Sequence, residues 1–227
     1  MIHGIFNTSA GFLTDPIIKI PNRRFMPDCL IQVVCTGKNL LYSGCKIDCI
    51  IGGSINFDYD LSLTSALGEC VERYAAAMYD EKKFTSATYN ELKESGEEVI
   101  DIKLLKYYSD KEYEKLEIKN IYPLSGDDCI DWVVGWDYMN ESYLYVPAFC
   151  IYMPINNNYL FSTSTGLAAG KTLKSAVVNG FFECVERHAF ANFWYRQNDL
   201  KVPQYTASLV LQYYDGCEKI KQLVDNK

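Results

Sequence analysis

Glu69-Cys70-Val71-Glu72-Arg73 recurs further along the chain as Glu183-Cys184-Val185-Glu186-Arg187, and the reading of this repeated pentapeptide decides the fold. At about 1-in-20 usage per position and roughly 25,000 position pairs, a chance match has odds on the order of one percent. Both copies lie in strongly helical stretches with small residues upstream, and an aromatic residue and alanines follow each: Tyr74-Ala75-Ala76 and His188-Ala189-Phe190. Two related helices are the direct reading. On a wheel of 100° per residue, Ser65, Glu69, Glu72 and Ala76 form one stripe of the first helix, with Arg73 at its edge. Leu63, Leu67, Cys70, Tyr74 and Met78 occupy its opposite, apolar face. In the second helix Ser175, Asn179, Glu183 and Glu186 form the matching stripe beside Arg187, and Val177, Phe181, Cys184 and His188 lie opposite, facing the core.

One such motif is explained by solvation alone, since Glu69–Arg73 and Glu183–Arg187 are i,i+4 pairs worth about 0.2–0.5 kcal/mol each. Solvation does not ask for the same pentapeptide twice. If the helices pack side by side, four carboxylates converge, and they cannot all stay ionised without a cation. Mg²⁺ suits the site because it takes a few carboxylates together with phosphate oxygens, while arginines bind phosphate as planar forks. Upstream of the second helix, the small-residue run 162–172 leads directly into a helix N-terminus, where backbone N–H groups favour an anion. Gly170-Lys171-Thr172 ends like a Walker A loop, but the first glycine of that motif would fall at Thr165.

Around these helices the pattern predicts strands over 30–35, 39–42 and 47–51, the last ending at Gly52-Gly53. A helix is expected over 61–79. Two aromatic and β-branched strands, 131–138 and 142–153, flank an Asn140-Glu141 turn. The long second helix covers about 172–197, and two shorter ones cover 207–214 and 218–224. The Glu- and Lys-rich stretch 81–119 reads as a charged, solvated excursion and the sole linker candidate. This mixture indicates an α/β (α+β) fold, a mixed sheet with two related helices packed on it.

The 227 residues are 48% hydrophobic and 14% aromatic, enough for a sizeable core. A net charge of −7 argues against coating a polyanion, so no nucleic acid is expected. No apolar stretch reaches bilayer length, and Met1–Phe6 does not open a signal peptide; the expectation is a cytoplasmic protein away from membranes. The nine cysteines contain no C-x2-C pair and meet two histidines, so reduced, mostly buried thiols are expected.

The residues quoted so far resemble the YcaO family, in particular the D-type cyclodehydratases of streptolysin-S-like clusters. Ser65, Glu69, Glu72 and Arg73 match its S-x-x-x-E-x-x-E-R motif. Ser164-Thr165-Gly166-Leu167-Ala168-Ala169-Gly170, followed by Glu183, Glu186 and Arg187, matches its S-N-G-L-A-A-G loop and second E-x-x-E-R helix. The chain departs from the family pattern at Thr165, Lys171, Ser175, Asn179 and His188, and the match covers the N-terminal portion of the family's domain.

The resemblance implies an ATP- and Mg²⁺-dependent enzyme, here truncated, acting on peptide backbone amides. A Cys, Ser or Thr side chain attacks the preceding carbonyl, the resulting oxygen is phosphorylated, and elimination leaves an azoline. Glu69, Glu72, Glu183 and Glu186 would hold Mg²⁺; Ser65, Arg73, Lys171, Ser175, Asn179 and Arg187 would line the nucleotide. Its partners would be a precursor peptide, an E1-like protein and a second copy as homodimer. The chemistry could equally give a thioamide or amidine. Two rival readings stay open, a non-catalytic module that engages a precursor peptide or partner protein, and a fragment unable to fold.

Overall fold

The computed structural model describes residues 13, 17–20, 31–37, 50–117 and 120–196. The expected strand at 39–42 and the helices at 207–214 and 218–224 lie outside them. Among the described residues the chain divides into two units. One holds the early strands, the first helix as far as Tyr74, and everything from Thr165 onward; the other holds Ala75–Ser164.

In the first unit, β1 (Ile18–Ile20), β2 (Ile31–Gly37) and β3 (Ile50–Asn56) form an antiparallel sheet in the order β1-β2-β3. Alternation along β2 sends Val33 and Cys35 inward, where both are fully buried. The strand expected to stop at Gly52-Gly53 continues through both glycines to Asn56, with Gly52 opposite Cys35 and Gly53 opposite Val34. Helix α1 (Tyr59–Ala77) follows directly. Its buried face carries Ser62, Ala66, Leu67 and Cys70, and two side-chain contacts tie it to the sheet. Ser62 Oγ lies 3.0 and 3.1 Å from the Ile31 and Ser54 carbonyls, and the Cys70 thiol donates to the Cys35 carbonyl at 3.2 Å. These buried polar atoms are satisfied where an unpaired hydroxyl would cost about 1–3 kcal/mol. Two positions depart from the wheel: Ala76, placed on the acidic stripe, is buried, and Met78, placed on the apolar face, lies just past the end of the helix and is exposed.

The last helix of this unit, α4 (Leu173–Arg196), spans its predicted range but not its predicted burial. Phe181, Cys184 and His188, expected to face a core, are exposed, and His188 Nε2 pairs with the Asn192 amide at 2.7 Å. Gly180 is its one buried residue. No described element covers the aromatic side of α4, so the pattern that signals burial points outward.

The second unit carries an antiparallel sheet of β4 (Thr85–Ala87), β5 (Ile130–Asp137) and β6 (Ser142–Pro147). The strands thus form two three-stranded antiparallel sheets within an α+β fold, in place of one mixed sheet. Strand β6 stops at Pro147, short of the expected 153, and a 3-10 turn at Ala148–Cys150 follows. The charged stretch 81–119 is no linker. It supplies β4, α2 (Tyr89–Glu94) and α3 (Asp110–Leu116), and buries Leu92, Val99, Leu105 and Tyr113. Both helices begin with a capping box, Thr88 with Glu91 and Ser109 with Glu112. Trp132 is the anchor of this core: 1% exposed, packed with Leu92 and Val99, its indole N–H donating to the Ala87 carbonyl at 2.9 Å.

Of the five described cysteines, all free, Cys35 and Cys70 are buried while Cys129, Cys150 and Cys184 are exposed. The expectation of mostly buried thiols therefore fails on this set. No helix among the described residues is long and apolar enough to cross a membrane.

Candidate functional site

The first unit brings the two repeated motifs together through the loop that precedes α4. Gly68 and Glu72, one turn apart on α1, face Ala169. A Cβ on Gly68 would touch the Ala169 methyl at 3.6 Å, and the Ala169 N–H donates to Glu72 Oε1 at 2.8 Å. At the other end of the loop, the Gly166 N–H donates to Glu183 Oε2 at 2.9 Å. Gly166 sits at φ 88°, where a side chain is disfavoured, and its Cβ position is 3.1 Å from Cys184 Sγ.

Each motif also closes on itself. Arg73 reaches Glu69 Oε1 at 2.8 Å, and Arg187 grips Glu183 Oε1 through Nε and Nη2 at 3.0 and 2.8 Å. The remaining oxygen of Glu69 accepts the Gly53 N–H at 2.7 Å. Burial of the Glu72 carboxyl is the largest influence on it and raises its pKa. The charges of Glu183 and Glu69 push the same way, against the Ala169 N–H and Arg73. Glu72 is therefore close enough to feel both Glu183 and Glu69. Glu186 is exposed and makes no hydrogen bond or ion pair with another described residue.

The other expected nucleotide contacts have local tasks. Ser175 completes the cap of α4 that Thr172 begins: the Ser175 N–H donates to Thr172 Oγ1 at 3.1 Å and the Thr172 N–H to Ser175 Oγ at 3.0 Å. Asn179 donates its amide to the Ala169 carbonyl at 3.0 Å and so holds the loop. Ser65, one turn before Glu69, and Lys171, at the end of the loop, are exposed and make no hydrogen bond to another described residue. Sequence reasoning missed the Gly53 amide, whose available signal was the paired glycines at 52 and 53. It assigned the amides of the 162–172 run to an anion, whereas those of Gly166 and Ala169 donate to Glu183 and Glu72.

The donor set suits a hard cation. Its oxygens are carboxylates, and Glu72 lies within reach of the charges of Glu183 and Glu69, which a cation would offset. Among the described residues no three acidic, Cys or His side chains form a ready cage. Mg²⁺ does not require one, because it keeps waters and phosphate oxygens in its shell.

The direction of the Glu72 shift has a consequence for stability. A carboxyl that holds its proton more tightly in the folded chain destabilises the fold above its folded pKa, and the penalty vanishes below the unfolded one. The melting temperature of Glu72→Gln is expected to gain on the parent as pH rises out of the carboxylate range, and to converge with it in acid. Parallel profiles would refute this.

Comparison with known proteins gives a consistent picture. A family model described as "YcaO cyclodehydratase, ATP- and Mg²⁺-binding" matches residues 56–226. No curated protein matches. Among solved structures, YcaO from Methanopyrus kandleri, bound with AMPPCP and Mg²⁺, aligns with TM-score 0.58 and 20% identity over 86% of this chain and 43% of that one. A heterocyclase in complex with substrate and cofactor aligns with TM-score 0.66 and 22% identity over 86% of this chain and 28% of that one. The heterocyclase TruD aligns with TM-score 0.52 and 25% identity over 67% of this chain and 25% of that one. The chain spans less than half the length of each of these structures.

Proposed function

The chain belongs to the YcaO family, whose members bind ATP and Mg²⁺, and on that premise we propose that it takes part in ATP-dependent cyclodehydration of peptide backbone amides. The observation that carries this reading is that Glu72 and Glu183, one from each repeated motif, both bind the Gly166–Gly170 loop, with Arg187 on Glu183 and the Glu69–Arg73 pair one turn along α1 from Glu72. The glutamate pairs Glu69/Glu72 and Glu183/Glu186 supply the charge that holds Mg²⁺. On this reading Arg73 and Arg187, each paired with a glutamate of its own motif, would complement phosphate oxygens, where phosphoryl transfer most needs positive charge. The exposed Ser65 and Lys171 would in turn reach the nucleotide, while Ser175 and Asn179 hold the end of the loop and its Ala169 carbonyl. When bound, the Mg-nucleotide supplies the phosphoryl group that carries off the amide oxygen, so that a Cys, Ser or Thr side chain closes onto the backbone as an azoline.

The substrate on this reading is a precursor peptide of the streptolysin-S or bacteriocin type, with an E1-like protein presenting it and a homodimer as the working form. The neighbour solved as a heterocyclase with substrate and cofactor supports a peptide substrate by analogy. The rival reading, a non-catalytic binding module, draws on α4, whose Phe181, Phe182, Phe190, Trp194 and Tyr195 are all exposed.

Titration calorimetry with AMPPCP separates the two. The proposal expects saturable binding that requires Mg²⁺. A chain that melts cooperatively yet takes up no nucleotide, and only associates with a peptide or protein, would overturn it in favour of the module.

A further inference from the structure

Strand β5 is unevenly flanked. Toward β6 its partners run from Trp132 to Asp137; toward β4 they end at Trp132, which lies opposite Thr85, the first residue of that strand. Where the backbone points beyond Trp132 follows from Tyr145, the β6 residue opposite Val134. Its N–H donates to the Glu98 carbonyl at 2.7 Å and its carbonyl accepts the Ile100 N–H at 3.0 Å, so its backbone groups face away from β5. Pairs in an antiparallel ladder alternate between hydrogen-bonded and non-bonded. Val134 and Trp136 therefore turn their N–H and C=O groups away from β6, to the side that β4 no longer covers. Among the described residues no strand or bridge meets them there. The side chains beside this edge are apolar. Val134, Trp136 and the cross-strand Tyr143 share one face and are 58%, 44% and 68% exposed, with the two rings edge to face at 4.8 Å. Val133-Val134-Gly135-Trp136 holds neither charge nor proline, the usual protections of a free edge.

We propose that this edge is where a second copy of the chain docks, the two β5 strands pairing antiparallel about a two-fold axis at Gly135. Register decides the occupant. About that axis Val134 lies opposite the partner's Trp136, and Trp136 opposite the partner's Val134. These are the residues whose backbone groups face outward, so each pair exchanges both of its N–H···O bonds. The open window also has the length of its mate. In this register the partner's Asp137 reaches the level of Val133, and one residue more would meet Thr85. The hairpin turns at that point, where the Asp137 carboxylate accepts the Met139 and Asn140 N–H groups, so the strand line of one copy ends where β4 of the other begins. On the apolar face Val134 packs beside the partner's Trp136, a β-branched and aromatic pair of the kind that stabilises sheets. The proposal gives the homodimer named above a surface and does not depend on nucleotide binding.

Sedimentation equilibrium of the full chain, without nucleotide, tests this apart from the nucleotide site. The parent is expected to dimerise. Val134→Lys combined with Trp136→Lys sets like charges opposite each other in both pairs, as does Val134→Glu with Trp136→Glu. Each double variant is expected to self-associate roughly 100-fold or more weakly. Mixing the two sets Lys against Glu and is expected to restore a dimer, which also shows that both are folded. Amide exchange in the parent reads the backbone. The Val134 and Trp136 N–H groups should be protected in the dimer and lose protection on dilution, while Gly135, whose groups face β6, stays protected throughout. A monomeric parent, a dimer that both double variants leave intact, a mixture that stays monomeric, or Val134 and Trp136 amides indifferent to dilution would each overturn the proposal. Protection of those two amides in a monomer only on addition of an extended peptide would overturn it as well, in favour of a peptide at the same edge.

Discussion

Gly52→Ala is expected to leave the first unit without a stable fold. The added methyl would sit 2.1 Å from the Ala66 carbonyl oxygen, 2.7 Å from the Cys70 nitrogen and 2.8 Å from its sulfur. Two of these three atoms are backbone, inside a helix whose own hydrogen bonds forbid local retreat, so relief requires β3 and α1 to part. Overpacking in a core costs about 1–3 kcal/mol where side chains can yield. Here they cannot, and the same separation breaks the contacts of Ser62 and Cys70 with the sheet. Circular dichroism and a denaturant melt would read the result. Gly53→Ala provides the control, because its nearest neighbours lie at 3.7 and 3.8 Å in ordinary contact. Equal melting of Gly52→Ala and the parent would mean that the strand does not press on the helix at this point.

Glu72→Gln is expected to weaken Mg-dependent AMPPCP binding by on the order of 10–100-fold or more. Loss of a partner that merely orients a metal ligand already costs about that much. Glutamine retains the acceptor that the Ala169 N–H needs, so the loop keeps its anchor. What disappears is a half-buried carboxylate that sits in the field of two others, Glu183 and Glu69. The measurement is calorimetric titration with and without Mg²⁺, with the melting temperature as the check on folding. Undiminished affinity would remove Glu72 from the metal and, with it, the main physical support for the convergence of the motifs.

Much of this chain could be read without coordinates where the signal is local. Helices α1 and α4 follow from apolar period and a repeated pentapeptide, and the β5–β6 hairpin from β-branched and aromatic runs around a polar turn. The stretch 81–119 misled because its surface charge outweighed four buried apolar residues spaced along it, although its two Thr/Ser-x-x-Glu capping boxes were present as a signature. His188 and Phe181 misled in the opposite sense. Their spacing marks an apolar face, but spacing cannot tell whether anything lies on it.

The residues alone singled out the side chains proposed to carry the chemistry, paired glutamates and arginines at helical spacing with a glycine-bearing loop before the second helix, and pointed to the family whose model spans most of the chain. The tertiary structure decided what each oxygen is spent on. The Gly53 amide reaches a carboxylate 16 residues away, Gly166 one at 17 and Ala169 one at 97. A backbone N–H has no residue type, so nothing in the sequence distinguishes the amide that will meet a glutamate from one that will not; only the approach of strand and loop to the helices selects it.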